Sequence, residues 1–300
     1  MIQVLSGFFL LATAISANKF LLSLVQPMWL VGVRMLFAGI ILLGINWWRE
    51  GSWRWKKRSE LFSLFIIALL TTLVPSFCKA YALKNLVSSK AAFIGSLDPF
   101  VTALYAWFLW SEVLSTRKMI GIIFGFIGSL IICWDDNLFR HHAVYDFLCF
   151  ALPELAAFIA VLVSRYGWIM VQQNLKRERF SPIHLNGLIM TISGLIALPL
   201  SYVYEKSFTT IATLTPVFYG CLLYTIIVGN VIAYTMYAYY LKRYSASFVS
   251  LAGFSVPLFV TINGVVLFQE PVSWNLVLGG VLVFVGVFMF YKAEIVSLDK

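Results

Sequence analysis

Two stretches, YALKNLVSSKAAFIGSLDP (Tyr81–Pro99) and YYLKRYSASFVSLAGFSVP (Tyr239–Pro257), lie 158 positions apart and share one spacing of residues. A tyrosine opens each stretch, a Leu-Lys pair begins two positions later, and serine, glycine and proline recur at the same offsets. The same shift brings Glu112 onto Glu270 and Gly128 onto Gly286. Repetition at a fixed offset is typical of a fold built from copies of one unit. The sequence therefore predicts a structural unit that occurs twice.

The composition is that of an integral membrane protein. Of 300 residues, 61% are hydrophobic and 12% are charged, and the mean hydropathy is +0.89, whereas about 25% of the residues in a soluble domain are charged. The apolar residues form blocks of the length that an α-helix needs to cross about 30 Å of hydrocarbon. We predict ten membrane-spanning helices at about 2–23, 28–48, 61–83, 89–110, 118–134, 146–171, 183–203, 216–239, 246–268 and 275–292.

The number of helices in each unit fixes how the two units are related. Five is odd, so the second unit must enter the membrane in the opposite orientation to the first. We therefore expect an all-α integral membrane fold with ten transmembrane helices arranged as two inverted five-helix repeats. The repeats cover 1–135 and 145–300 and divide in the loop WDDNLFRHHAVYD. Inverted repeats with a substrate site near the bilayer midplane are typical of secondary transporters.

The basic residues indicate the orientation in the membrane. With the N-terminus in the cytoplasm, fourteen of the 22 Lys and Arg residues fall on the cytoplasmic side and four on the other side. This bias follows the positive-inside rule and predicts both termini in the cytoplasm, in a cell (inner) membrane. Because the basic residues are accounted for in this way, we expect no nucleic acid partner. Glu112 and Glu270 are then expected to mark helix ends on opposite faces.

Several motifs resemble one transporter family. They are Lys19 late in the first helix, QPMWLVGVR running into the second, the paired stretches above, and the endings SEVLSTRKMIGIIFGFIG and QEPVSWNLVLGGVLVFVG. Together they resemble the EamA-type branch of the drug/metabolite transporter superfamily. The resemblance implies ten helices and a secondary metabolite transporter, in which two repeats rock around a central site. It does not imply a substrate, and the chain is expected not to be an enzyme and to need no cofactor or metal.

Charged residues inside the predicted helices are the first candidates for a binding site, because each costs at least about 2.5 kcal/mol to insert. Lys19, Arg34 and Lys79 fall in the outer half of the first repeat. They either reach the outer headgroups or line a cavity that binds a carboxylate or phosphate. For Arg165 two alignments remain: one matches Pro182 to Pro27, and the other makes Arg165 the terminal arginine of helix 6.

Two acids are candidate partners for these cations. Glu154 lies about two turns into helix 6, and Asp98 lies near the middle of helix 4. Asp98 is expected to pair with a cation, to recognise a substrate ammonium group or to carry a coupled proton. A cavity that holds both signs of charge suits a zwitterion such as an amino acid.

The remaining candidates are aromatic, amide and helix-bending residues. Tyr81, Trp107, Tyr237 and Asn263 are expected either to stack on and hydrogen-bond an organic substrate or to belong to an interfacial aromatic belt. Proline removes a backbone donor and bends a helix. The expected bending points are Gly95, Pro99, Gly253 and Pro257.

The function predicted from these residues is secondary transport of a small organic metabolite, either by exchange or coupled to protons. An amino acid or an amino-acid-bearing metabolite is the first choice, and a phosphorylated or nucleotide-like metabolite is the second. An intramembrane lipid-modifying enzyme is the alternative of another class, although the sequence contains no HExxH or GxSxG motif. The nucleotide-binding motif GxxxxGK[ST] is also absent.

The expected partners are the small-molecule substrate and the lipid bilayer. The sequence does not decide between a monomer and a homodimer, or whether Cys133 and Cys149 form a disulfide.

Overall fold

The computed structural model describes residues 2–50, 58–86, 94–95, 97–110, 115–133, 152–178, 180–205, 215–268 and 274–298. The predicted dividing loop 135–145, Glu112, Glu270 and Cys149 lie outside the described residues.

Ten helices account for nearly all of this described part. They are α1 (Ile2–Leu24), α2 (Pro27–Glu50), α3 (Arg58–Ala68, Leu69–Leu73 and Val74–Asn85), α4 (Asp98–Trp110), α5 (Thr116–Cys133), α6 (Leu152–Lys176), α7 (Pro182–Glu205), α8 (Pro216–Tyr224, Thr225–Ala233 and Tyr234–Arg243), α9 (Ala246–Ala252 and Ser255–Phe268) and α10 (Trp274–Leu298). The described parts of α1, α2, α3, α6, α7 and α8 are long and apolar enough to cross a membrane. The prediction of an all-α membrane fold is confirmed.

A π-helical segment interrupts both α3 and α8. The segments are Leu69–Leu73 and Thr225–Ala233, and the offset of 158 places the first inside the second. Side chains from α7 bond carbonyls beside both segments: Ser193 Oγ donates to Ala68 O at 3.2 Å and Asn186 Nδ2 donates to Tyr234 O at 2.9 Å. Such bonds matter in a membrane because lipid offers the backbone no replacement partner.

Both proline segments follow a break in the helix. In α9 the two parts flank a turn at Gly253–Phe254, where the N–H of Gly253 donates to Ser250 O at 2.9 Å. In the first half, α4 begins only at Asp98, and the N–H of Leu97 donates to Ile94 O at 3.1 Å. Each of these hydrogen bonds joins residues three apart, so the backbone is wound more tightly there than in an α-helix. The tighter turn lies one or two residues before Pro99 and three or four residues before Pro257.

Helices α2 and α7 pack antiparallel through reciprocal contacts. A Cβ on Gly39 would lie 2.5 Å from the backbone nitrogen of Thr191, and a Cβ on Gly194 would lie 2.5 Å from that of Leu36. The two contacts are equivalent in the repeat. An offset of 155, which also relates Pro27 to Pro182, relates Gly39 to Gly194 and Leu36 to Thr191. Reciprocal contacts of this kind define a pseudo-twofold axis perpendicular to the two helices.

Helices α5 and α10 repeat this arrangement. A Cβ on Gly121 would lie 2.8 Å from Gly286 O, and a Cβ on Gly128 would lie 2.6 Å from Gly279 O. These two contacts are also equivalent, because the offset of 158 relates Gly121 to Gly279 and Gly128 to Gly286. Because small residues let helix backbones approach closely, these glycines set the packing distance. An axis perpendicular to membrane-spanning helices lies in the membrane plane, which is the geometry of inverted repeats.

Gly194→Ala is expected to destabilise the protein, because the new Cβ would meet the Leu36 backbone and force α2 away from α7. Overpacking costs about 1–3 kcal/mol, which corresponds to a fall in Tm of roughly 5 °C. The measurement is the thermal denaturation midpoint in detergent. Gly220→Ala is the matched control, since nothing lies within 4 Å of a Cβ there. Equal midpoints for the two variants would contradict the packing role.

Candidate functional site

An ion pair joins the two halves of the molecule inside the helix bundle. Nε of Arg165 on α6 lies 3.2 Å from Oδ1 of Asp98 on α4, and the two side chains are 8% and 21% exposed. Asp98 immediately precedes Pro99, so the break before α4 places the carboxylate at the start of that helix. Arg165 is therefore nearly inaccessible, whereas Asp98 is partly exposed.

The structure settles the position of Arg165. Helix α6 runs from Leu152 to Lys176, so Arg165 lies thirteen residues from its start and eleven from its end. At 1.5 Å per residue these are about 20 Å and 16 Å. The alternative that made Arg165 the terminal arginine of helix 6 is wrong, because the helix continues for three turns beyond it.

Tyr237 connects this ion pair to a group of aromatic rings. Its hydroxyl accepts a hydrogen bond from Nη1 of Arg165 at 3.0 Å. Its ring packs edge-on against Trp168, with the centroids 4.6 Å apart, and against Phe8 at 6.0 Å. Trp168 also lies 5.9 Å from Tyr234. Aromatic faces and edges beside a fixed charge suit a planar organic group.

The second buried arginine has partners of a different kind. Oδ1 of Asn230 accepts from Arg34 Nε at 3.3 Å and from Nη2 at 2.8 Å, and Oδ1 of Asn18 accepts from Nη1. Asn230 is fully buried in the π-helical segment of α8 and also donates to the sulfur of Met35 at 3.1 Å. Within the described part of the chain, the hydrogen-bond partners of the Arg34 guanidinium are thus neutral amides.

Tyr234 links the two arginines electrostatically. It interacts electrostatically with Arg34, Arg165 and Asp98, and Lys79 on α3 interacts in the same way with Asp98 and Arg165. Tyr234 is partly exposed and Lys79 is exposed. One connected group of side chains results, which we name the polar cluster: Asn18, Arg34, Lys79, Asp98, Arg165, Asn230, Tyr234 and Tyr237.

The sequence-predicted candidates divide between this cluster and other places. Arg34, Lys79, Asp98, Arg165 and Tyr237 come together in it. Trp107 is 61% exposed on α4, and the Tyr81 ring lies beside Phe77 on α3, with 6.4 Å between centroids. Lys19 is exposed on α1.

Two more predicted residues are buried elsewhere on α6 and α9. Glu154 lies in the first turn of α6 and Asn263 lies on the second part of α9. The Asn263 amide nitrogen has no hydrogen-bond partner among the described residues. The bending candidates lie at the breaks: Gly95 and Pro99 around the start of α4, Gly253 in the turn of α9 and Pro257 just after it.

Sequence reasoning missed the residues that orient the charges. Asn18, Asn230, Tyr234 and Trp168 carry no charge, so the cost of burying a charge did not single them out. A signal was nevertheless present, because amide side chains inside membrane helices usually bond across helices. Asn18 and Asn230 do this by holding Arg34 from α1 and α8.

The described structure is an all-α membrane bundle in which two sets of five helices meet around the polar cluster. The model of the EamA-like transporter family matches residues 1–134 and 151–292. The chain belongs to this family and is a transporter rather than an enzyme.

Curated relatives are similar to nearly the whole chain, and a solved structure shares its fold. The chain is 24% identical to the S-adenosylmethionine/S-adenosylhomocysteine transporter of Chlamydia muridarum, over 95% of this chain and 89% of the relative. It is 25% identical to the transporter of the same name in Chlamydia trachomatis serovar L2, over 95% and 87%, and to Protein PecM of Dickeya dadantii, over 92% and 86%. A crystal structure 16% identical to the chain shares its fold, with a TM-score of 0.77 over 98% of this chain and 95% of that one.

Asp98→Asn is expected to destabilise the protein more than Arg165→Gln. The first substitution leaves Arg165 and Lys79 without their acid, whereas the second leaves Lys79 beside Asp98. Removing one partner of a buried pair costs about 3–5 kcal/mol. The measurement is thermal unfolding in lipid-free detergent. As a control, Glu178→Gln breaks the exposed pair with Lys242, which is worth at most about 1 kcal/mol. Equal effects of Asp98→Asn and Glu178→Gln would contradict the structural role of the ion pair.

Proposed function

We propose that this protein is a secondary transporter that exchanges a carboxylate-bearing metabolite, of the amino-acid-linked nucleoside kind represented by S-adenosylmethionine and S-adenosylhomocysteine. The observation that carries the proposal is the buried Arg34 guanidinium, whose described hydrogen-bond partners are only the amides of Asn18 and Asn230. The names of the chlamydial relatives support the substrate class.

The charge of Arg34 favours a substrate anion. A guanidinium has five N–H donors, and the described contacts use three of them. One N–H remains on each Nη nitrogen, and a pair of such N–H groups can bind a carboxylate in bidentate fashion. A buried charge is costly until an opposite charge neutralises it. Arg165 differs, since Asp98 already neutralises it.

The surroundings of Arg34 suit the rest of such a molecule. Trp168, Tyr234 and Tyr237 offer aromatic surfaces for a purine ring. Asp98 is partly exposed, and its carboxylate would bind an ammonium group beside Arg165. An amino-acid-bearing nucleoside uses all three features, whereas a free amino acid leaves the aromatic residues unused.

A phosphorylated metabolite is the second candidate. The polar cluster contains three cations, Arg34, Lys79 and Arg165, and one acid, Asp98, so it carries excess positive charge. This excess of positive charge favours a ligand of net negative charge. It does not explain why aromatic residues lie beside the charged ones. Between the two substrates named for the chlamydial relatives, it favours S-adenosylhomocysteine, which lacks the sulfonium charge.

The transport cycle that we propose is alternating access between two inverted units, 1–135 and 145–300, in a cell (inner) membrane. The matching π-helical segments and the reciprocal helix contacts support this division. Bending at the breaks near Gly95, Pro99, Gly253 and Pro257 would open the polar cluster to one side of the membrane and then to the other.

Counterflow in proteoliposomes tests the substrate class. Vesicles loaded with unlabelled S-adenosylhomocysteine are expected to accumulate labelled S-adenosylmethionine, and the panel includes free methionine, adenosine and a sugar phosphate. A decarboxylated analogue of S-adenosylmethionine is expected to lose at least about tenfold in exchange, because it lacks the partner of Arg34. If only the sugar phosphate exchanges, the second candidate replaces the first.

Arg34→Gln is expected to raise the KM for a carboxylate-bearing substrate by about tenfold or more, because one charged hydrogen-bonding partner is lost. Arg34→Lys should recover part of the loss, since it restores the charge without the fork. Arg49→Gln is the matched control on the same helix, where the arginine lies exposed in the last turn. A KM unchanged in Arg34→Gln would remove Arg34 from the site.

The orientation is tested separately from the substrate. With both termini in the cytoplasm, a C-terminal green fluorescent protein fusion is expected to fluoresce and an alkaline phosphatase fusion to stay inactive. The measurement is fluorescence and phosphatase activity in whole cells. An active phosphatase fusion would reverse the proposed orientation and leave the fold unaffected.

A further inference from the structure

A cavity lined by tyrosines and basic residues lies at the end of α8. It has a volume of about 420 Å³ and is lined by Gln3 of α1 and by Tyr239, Tyr240, Lys242, Arg243 and Tyr244. We propose that this α1–α8 cavity binds an anionic phospholipid, with the headgroup phosphate on Lys242 and Arg243. The proposal does not depend on which substrate the transporter carries.

The two cations of this cavity are not needed to cap the helix. Basic residues at a helix C-terminus often satisfy the last carbonyl groups. Here Gln172 of α6 takes that role, since its amide donates to Leu241 O at 3.0 Å and to Tyr244 O at 2.7 Å. Lys242 and Arg243 remain available for a ligand.

The existing contacts of these cations leave room for a phosphate. Lys242 Nζ lies 3.3 Å from Glu178 Oε1, but the two side chains are 42% and 78% exposed, and exposed pairs are weak. Arg243 lies over the Tyr244 ring, 5.9 Å from its centroid. Stacking uses the face of the guanidinium and leaves its N–H edge for an anion.

The charge at this end of the bundle complements an anionic bilayer surface. Lys242 and Arg243 end α8, and the ends of the neighbouring membrane helices at the same face carry further cations. The described ones are Arg49, Arg117, Lys118, Lys176, Arg177 and Lys292. Basic pockets between helix ends on such a face are typical sites for acidic headgroups.

The tyrosines favour a lipid over a free phosphate ion. Tyr239, Tyr240 and Tyr244 place apolar ring surface beside the two cations, at the end of a membrane span that runs from Pro216 to Arg243. Tyrosine prefers this level of the bilayer because its ring suits the acyl chain and its hydroxyl suits the headgroup. A free phosphate ion would leave the ring surfaces without a partner.

The cavity also spans the seam between the two halves. Tyr240 of α8 donates a hydrogen bond to the carbonyl oxygen of Gln3 on α1, and a Cβ on Gly7 would lie 2.8 Å from the Tyr240 ring. A lipid bound here touches α1 of the first half and α8 of the second. Binding is therefore expected to stabilise the folded protein.

The test compares lipids added to the full-length protein in detergent. Phosphatidylglycerol is expected to raise the thermal denaturation midpoint by about 5 °C more than phosphatidylcholine does. Lys242→Gln/Arg243→Gln is expected to lose at least about half of that difference. Native mass spectrometry should show fewer phosphatidylglycerol molecules retained by this variant than by the unaltered protein.

Lys118→Gln/Lys292→Gln is the matched control, because it removes the same charge from the same face outside the cavity. Its response to phosphatidylglycerol should equal that of the unaltered protein. A loss equal to that of Lys242→Gln/Arg243→Gln would overturn the site in favour of general surface charge. Inorganic phosphate is tested in the same way. If phosphate alone stabilises the protein as much as phosphatidylglycerol does, the occupant of the cavity is not a lipid.

Discussion

The pairing of Arg165 with Asp98 is the constraint on which the rest of the site depends. A guanidinium near the middle of a membrane helix costs at least about 2.5–3.5 kcal/mol to insert, and an acid on another helix must meet it at the same depth. That requirement brings α4 against α6. The hydrogen bond from Arg165 to Tyr237 then positions α8. Three helices from both halves are thereby held in one register around a polar centre.

The duplicated scaffold carries a site that is not duplicated. The offset that superimposes the two halves places Lys79 on Tyr237 and Asp98 on Val256, and the offset between α2 and α7 places Arg34 on Ile189. Backbone features such as the π-helical segments survive in both halves, while the charges do not. The backbone features are therefore shared by both halves, whereas each half contributes different polar side chains to the polar cluster.

Much of this arrangement could be predicted from the sequence because membrane burial penalises charge strongly. Hydropathy located the ten helices, and the cost of insertion singled out Arg34, Lys79, Asp98 and Arg165. The depth of Arg165 in the membrane could not be predicted from the repeat. The two halves align with an offset of 155 in one part and 158 in another, and α6 aligns with neither offset without a gap. The exposed position of Trp107 could not be predicted, because an aromatic side chain in a membrane helix is equally stable facing lipid or a cavity. Asn18 and Asn230 escaped prediction because only the folded bundle brings their amides to Arg34.

The glycine contacts limit which parts of the protein can move. At Gly39 and Gly194 of α2–α7 and at Gly121 and Gly128 of α5–α10, a Cβ would meet backbone atoms of the facing helix. Each pair takes one helix from either half. The halves are therefore fastened along two seams and cannot slide past each other as rigid blocks without separating these contacts. Of the other six helices, five contain or follow a helix irregularity or carry the Arg165–Asp98 pair: α3, α4, α6, α8 and α9. The helix breaks and π-helical segments therefore lie outside the four closely packed helices α2, α5, α7 and α10, which form a frame in the described structure.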